Sequence, residues 1–167
     1  MPRVKRHMPE KVSVRCRVNG RDATLHDFPM ARLLDALREQ LHLTGIKEGC
    51  GEGECGACGI EMDGQLVNSC LVPVLQAENA VIRTIEGLAN GEQLHCVQQA
   101  FIVHGGAQCG ICTPGMILAA VNLLDRNPHP TEAEVRVALA GNLCRCTGYT
   151  KIFHSVLAAF ADPGARG

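Results

Sequence analysis

The chain contains no tryptophan and one tyrosine, and aromatic residues make up 3% of its 167 positions. So few flat rings exclude a site that grips a planar ligand by stacking alone. Lysine plus arginine number 16 against 17 aspartates plus glutamates, so charge of neither sign dominates. That balance argues against a surface built for nucleic acid. No apolar run reaches about 18 residues, so no membrane span is expected. Met1 to Glu10 are basic and polar, with neither an apolar export segment nor a twin-arginine pair. They are expected to form a loose terminus, and the protein is expected in the cytoplasm. No nucleophile–base pair and no phosphate-cradling glycine loop is visible, so no catalytic residue is assigned.

Cysteine, by contrast, is plentiful at ten residues. Without an export signal this favours metal binding over disulfides. Eight of the ten fall into two sets of four. The first runs Cys50-Gly51-Glu52-Gly53-Glu54-Cys55-Gly56-Ala57-Cys58 and closes at Cys70. This is the spacing of a plant-type [2Fe-2S] site. Three of the four thiolates come from one short loop that must wrap the inorganic core, and Gly49, Gly51, Gly53, Gly56 and Gly59 permit the bends. The loop's backbone N–H groups are then expected to point at the sulfurs and tune the potential.

The second set is Cys109 with Cys112 and, much later, Cys144 with Cys146. Each of these sequence-adjacent pairs could clamp one iron. Spacing leaves iron–sulfur and zinc evenly open here, although the short Cys144-Arg145-Cys146 step is unusual for zinc. Cys16 lies on the apolar face of a strand and reads as a small buried hydrophobe. None of the seven histidines stands at ligand spacing from another, so cap or surface roles are expected for all of them. Glu48, Glu52 and Glu54 are expected to face solvent or a partner.

Val12, Val14, Cys16 and Val18 alternate with polar residues as a half-buried strand does. Asn19-Gly20 is the preferred two-residue hairpin turn, and Ala23 and Leu25 begin the return strand. A helix is expected from Pro29 to Leu41, with Leu33, Leu34, Leu37 and Leu41 in one stripe. Ile60 and Met62, the turn Asp63-Gly64, and Leu66-Val67 predict a second hairpin, and Val81, Ile82 and Ile85 a last strand. These elements form a small α+β unit. After a linker over residues 86–91 the period turns helical throughout. Leu94, Val97, Phe101 and Ile102 fit a first helix, and Pro114 opens a second. Asn127-Pro128-His129-Pro130 breaks that helix, and Thr131 with Glu134 marks the capped start of a third. Ile152, Val156, Leu157 and Phe160 supply the face of a fourth.

Three stretches then carry a resemblance that covers about residues 12 to 160. They are residues 49–58 with Val67-Asn68-Ser69-Cys70, then Gln108-Cys109-Gly110-Ile111-Cys112-Thr113-Pro114-Gly115-Met116, and Gly141-Asn142-Leu143-Cys144-Arg145-Cys146-Thr147-Gly148-Tyr149. On these the chain resembles the small iron–sulfur subunit of the xanthine dehydrogenase/aldehyde oxidase family of molybdenum hydroxylases. The resemblance implies an α+β fold, with an N-terminal β-grasp, plant-type ferredoxin-like domain over residues 1–87. A C-terminal four-helix domain over residues 88–167 follows. It implies two [2Fe-2S] clusters, ligated by Cys50, Cys55, Cys58 and Cys70 and by Cys109, Cys112, Cys144 and Cys146. It also implies a large partner subunit carrying molybdopterin, with the cytosine dinucleotide form expected, and a medium subunit carrying FAD, in a heterotrimer or its dimer. Gln108 would approach the pterin, and Cys146 would sit on the cluster edge nearest it. Electrons would run from the molybdenum centre through the second cluster and then the first to FAD.

Two positions depart from the family pattern. Cys96 stands where proline is frequent and reads as a buried thiol, and Gly59 stands where threonine is common. The alternative reading is a free-standing two-cluster electron carrier, which would have no use for a pterin-facing Gln108. A blander one is a zinc-stabilised interaction protein.

Overall fold

The computed structural model describes residues 10–161. Apart from Glu10, the expected loose terminus of Met1 to Glu10 lies outside the described residues. The first hairpin joins β1 (Val12–Val18) to β2 (Arg21–Asp27), antiparallel, with Val14 opposite Leu25 and Cys16 opposite Ala23. Its turn residues Asn19 and Gly20 both have positive φ, 50° and 79°, the backbone that a right-twisted hairpin demands. The second hairpin repeats the device. β3 (Gly59–Met62) and β4 (Gln65–Asn68) are joined by Asp63 and Gly64, at φ 50° and 77°.

A short β5 (Val81–Arg83) completes a five-stranded sheet in the order β2-β1-β5-β3-β4. β5 runs parallel to β1 and antiparallel to β3. Ile85 falls just beyond it, in a 3-10 turn, rather than in the expected strand. β2 is an edge, and the side-chain amide of Gln40 covers part of it. Gln40 accepts from the His26 N–H at 2.9 Å and donates to the His26 carbonyl at 3.3 Å, as a neighbouring strand would.

α1 (Leu33–Gln40) lies on this sheet with Leu33, Leu34, Ala36 and Leu37 buried. The helix starts four residues later than Pro29, where the leucine pattern placed it. The reason is not local. Leu33 N–H donates to the Val72 carbonyl, Val74 N–H to Ala31 and Leu75 N–H to Pro29, so residues 29–33 form a ribbon with residues 72–75 instead of a first helical turn.

Four helices follow: α2 (Cys96–Val103), α3 (Thr113–Arg126), α4 (Glu132–Ala138) and α5 (Thr150–Ala161). Pro114 stands in the first turn of α3, where its missing N–H leaves no helical bond unmade. Thr131 and Glu134 form the expected reciprocal cap at the start of α4. His95 caps α2 through its ring nitrogen. Of the apolar residues expected on the first of these helices, Val97 and Phe101 are buried, whereas Leu94 and Ile102 are exposed.

Two cores result. One gathers Val14, Leu25, Leu34, Leu37, Ile60 and Ile82, and the other Val97, Met116, Leu118, Val135, Ile152 and Val156. Cys16 belongs to the first, where burial and then Glu78 push its thiol up from its ordinary value. Cys96 belongs to the second. Arg83 on β5 links the two halves by reaching Glu61 on β3 at 2.6 Å and Asp125 on α3 at 2.7 Å.

Candidate metal centres

All ten cysteines are present as thiols. The loop from Cys50 to Cys58 turns three times through left-handed backbone, with Gly51, Gly53 and Gly56 at φ 71°, 82° and 67°. These turns aim successive N–H groups inward. Glu52 N–H lies 3.3 Å from the Cys50 sulfur. The amides of Glu52, Cys55 and Glu54 together bring that thiol down to about 7. A cradle of amides that favours a sulfur anion is what a thiolate ligand needs. Cys70 follows β4 and lies deeper, and burial pushes its thiol up to about 11. Its side chain is the hydrogen-bond partner of Cys58, while Cys55 is that of Cys50. Cys58 and Cys70 are buried and Cys50 is exposed, so this site is open along one side.

The second set is assembled by two loops between helices. Cys109 and Cys112 precede α3, and Cys144 and Cys146 lie between α4 and α5. The thiols that interact most closely come from different loops. Cys112 pairs with Cys144, and Cys109 with Cys146. The two loops lie side by side, and each contributes one thiol to each pair.

The residues after Cys144 explain why that loop holds its shape. Thr147 donates its hydroxyl to the Cys144 sulfur at 3.1 Å, and the Tyr149 phenol oxygen accepts from the Cys144 N–H at 2.9 Å. Tyr149 itself stacks on Phe153 of α5. Burial raises Cys144, but the bonds from Thr147, from backbone amides and from Cys112 outweigh it and bring the thiol to about 7. Cys112, facing the helical core, is pushed up to about 12, first by burial. Gln108, Cys109 and Cys146 are exposed at the outer edge, beside Ile111.

Both sets suit a two-iron core. Such a core takes four thiolates, two on each iron. Glu48, Glu52 and Glu54 are all exposed, as expected of them, and Glu48 also pairs with Arg32 at 2.6 Å, a contact no spacing announces.

The two loops also touch each other. Leu143 N–H, one residue before Cys144, donates to the Cys55 carbonyl at 2.9 Å. Asn142 Nδ2 donates to the Gly56 carbonyl at 3.1 Å. Nothing in the local sequence of either loop signals this junction.

Comparison with known proteins matches the same two halves. Residues 16–100 fit the family model of the 2Fe-2S iron-sulfur cluster binding domain, and residues 84–157 that of the [2Fe-2S] binding domain. The chain is 49% identical to the nicotinate dehydrogenase small FeS subunit of Eubacterium barkeri, over 87% of this chain and 93% of that one. It is 47% identical to the xanthine dehydrogenase iron-sulfur-binding subunit of Escherichia coli O157:H7, over 89% and 94%. In structure it matches a chain of quinoline 2-oxidoreductase from Pseudomonas putida 86 with a TM-score of 0.88 and 42% identity, covering 91% of this chain and 95% of that one.

Proposed function

Because the chain belongs to the small [2Fe-2S] subunits of the molybdenum hydroxylases and is their two-cluster electron-transfer component, we propose that its eight paired cysteines form a directed relay between two partner subunits. Cys109, Cys112, Cys144 and Cys146 hold the cluster on the side of a large molybdopterin subunit. Cys50, Cys55, Cys58 and Cys70 hold the cluster on the side of a medium FAD subunit. When bound, each cluster takes up and passes on one electron at a time. The chain's own residues position the sulfurs, shield them and tune them. Amides of the 50–58 loop and the hydroxyl of Thr147 stabilise charge on sulfur.

Gln108 and Cys146 form the pterin-facing edge, and the cytosine dinucleotide is the form of pterin we assign to the large subunit. The unit boundary falls between Gly87 and Leu88. The complex is a cytoplasmic heterotrimer or its dimer, without a substrate pocket in this chain.

The observation that carries this reading is the junction of the two thiol sites through Cys55 and Leu143, which makes them one conduit instead of two separate metal centres. Ile111 and Leu143 are 45% and 53% exposed beside the thiols, which suits burial against a partner better than a carrier that diffuses alone. The test is electron paramagnetic resonance of the dithionite-reduced protein, with iron and zinc measured on the same sample. Two distinct [2Fe-2S] signals and about four irons per chain are expected. One signal together with bound zinc would overturn the relay.

A further inference from the structure

We propose that Asn142 and Gly115 are positioning residues that clamp the Gly56 carbonyl and thereby fix the separation of the two thiol sites. The inference rests on the relay reading above and adds what sets the relay's internal gap. Gly56, between Cys55 and Cys58, has φ of +67°, and its carbonyl oxygen faces the start of α3. A Cβ on Gly115 would stand 2.1 Å from that oxygen, so glycine alone lets the helix come so near. Gly59 packs on the same spot, where its own added Cβ would lie 3.7 Å from the Gly115 Cα. Asn142, 5% exposed, closes the remaining side and donates to the Gly56 oxygen at 3.1 Å.

The clamp sits one residue from the junction on both sides. Gly56 follows Cys55, and Asn142 precedes Leu143, whose N–H donates to the Cys55 carbonyl. This backbone–backbone hydrogen bond joins the first unit to the helical unit far from the chain crossing at residues 87 and 88. Neither Asn142 nor Gly115 supplies a thiol. They act through Cys55 and Cys144, whose sulfurs ride on the two clamped loops. Residue type matters at both places. Alanine at 142 leaves the Gly56 oxygen without this donor, and aspartate at 142 sets a carboxylate against a carbonyl in nearly the same volume. A buried acceptor left unsatisfied is costly, so the contact opens to admit water. Electron tunnelling weakens exponentially with distance, so a small opening is enough to slow exchange between the sites.

The test uses Asn142→Ala and Asn142→Asp in the full chain, purified as the holo complex. Three quantities are read: iron per chain, the splitting of resonance lines by magnetic interaction between the two reduced centres, and hydrogen exchange at the Leu143 amide. Both variants are expected to keep wild-type iron, to show a narrowed splitting and to exchange that amide about tenfold faster, the effect of losing one net hydrogen bond. Wild-type splitting and protection in both variants would overturn the clamp. So would a normal Asp variant beside an altered Ala variant, since that pattern reports packing alone. If the Ala variant does not fold, the nearly isosteric Asp variant decides. A wild-type complex lacking two signals and about four irons per chain would instead sink the relay reading itself.

Discussion

Thr147 and Tyr149 show how much of a metal site lies outside its ligands. One bonds the sulfur of Cys144 and the other its backbone N–H, so the loop is shaped from behind by residues outside the proposed ligand set. The thiols divide the work unequally. Cys112 faces the helical core, and Cys109 and Cys146 face outward. Replacing Cys112 with serine is expected to abolish the second cluster's resonance and to halve the iron, because the buried position admits no substitute ligand. The first cluster should stay reducible. Two intact signals in Cys112→Ser would remove Cys112 from the ligand set. At this scale the spacing proposes which thiols act, but it does not announce which of them lie together. The crosswise pairing of Cys112 with Cys144 arises only when two loops about thirty residues apart are brought side by side.

Among the elements, those defined by local chemistry were legible. Asn19-Gly20 and Asp63-Gly64 take positive φ because a tight hairpin needs it, and their neighbours pair as their alternation predicts. The start of α1 was not legible, because the backbone of residues 29–33 is bonded to residues 72–75, beyond any window of local pattern. The cap of α4 offers a quantitative check. Thr131 accepts from the Glu134 N–H, and Glu134 returns the bond to the Thr131 N–H. The Thr131 amide, and then its hydroxyl, hold the Glu134 carboxyl below its ordinary value. A carboxyl lowered by folding stabilises the fold above its unfolded value, and that contribution fades as pH falls through the folded one. Thr131→Ala is therefore expected to cost about 1 kcal/mol at neutral pH. The deficit should shrink below about pH 4, as read by denaturant unfolding across pH. A deficit unchanged by acid would mean that the Thr131 hydroxyl is not coupled to the Glu134 charge.

Over the whole molecule, two cores share one chain, and Arg83 holds them together. It carries bonds to Glu61 in the sheet and Asp125 on α3, with its own side chain only a third exposed. Leucine in its place would leave two carboxylates facing each other with no cation between them. Arg83→Leu should destabilise the protein by about 2 kcal/mol, the scale of hydrogen bonds to charged groups. It should also split a single calorimetric transition into two. A single unshifted transition would show that the halves are coupled elsewhere. Neither Arg83 nor the Asn142 clamp is signalled by its sequence neighbours, since each acts between segments far apart in the chain. The resemblance to a family supplied the two-unit plan, whereas the joints between the units came from the structure.

The amide of Gln40, paired with the His26 backbone, has a consequence for the time before the complex exists. A freshly made subunit waits for its partners with one side of its sheet unprotected, and an open strand edge is where identical chains stick to one another. Gln40 fills one of the outward-facing slots of β2, and the charges of Arg21, Asp22 and Asp27 discourage a second copy from using the others. The β2 edge is thereby guarded against pairing with a newly made copy.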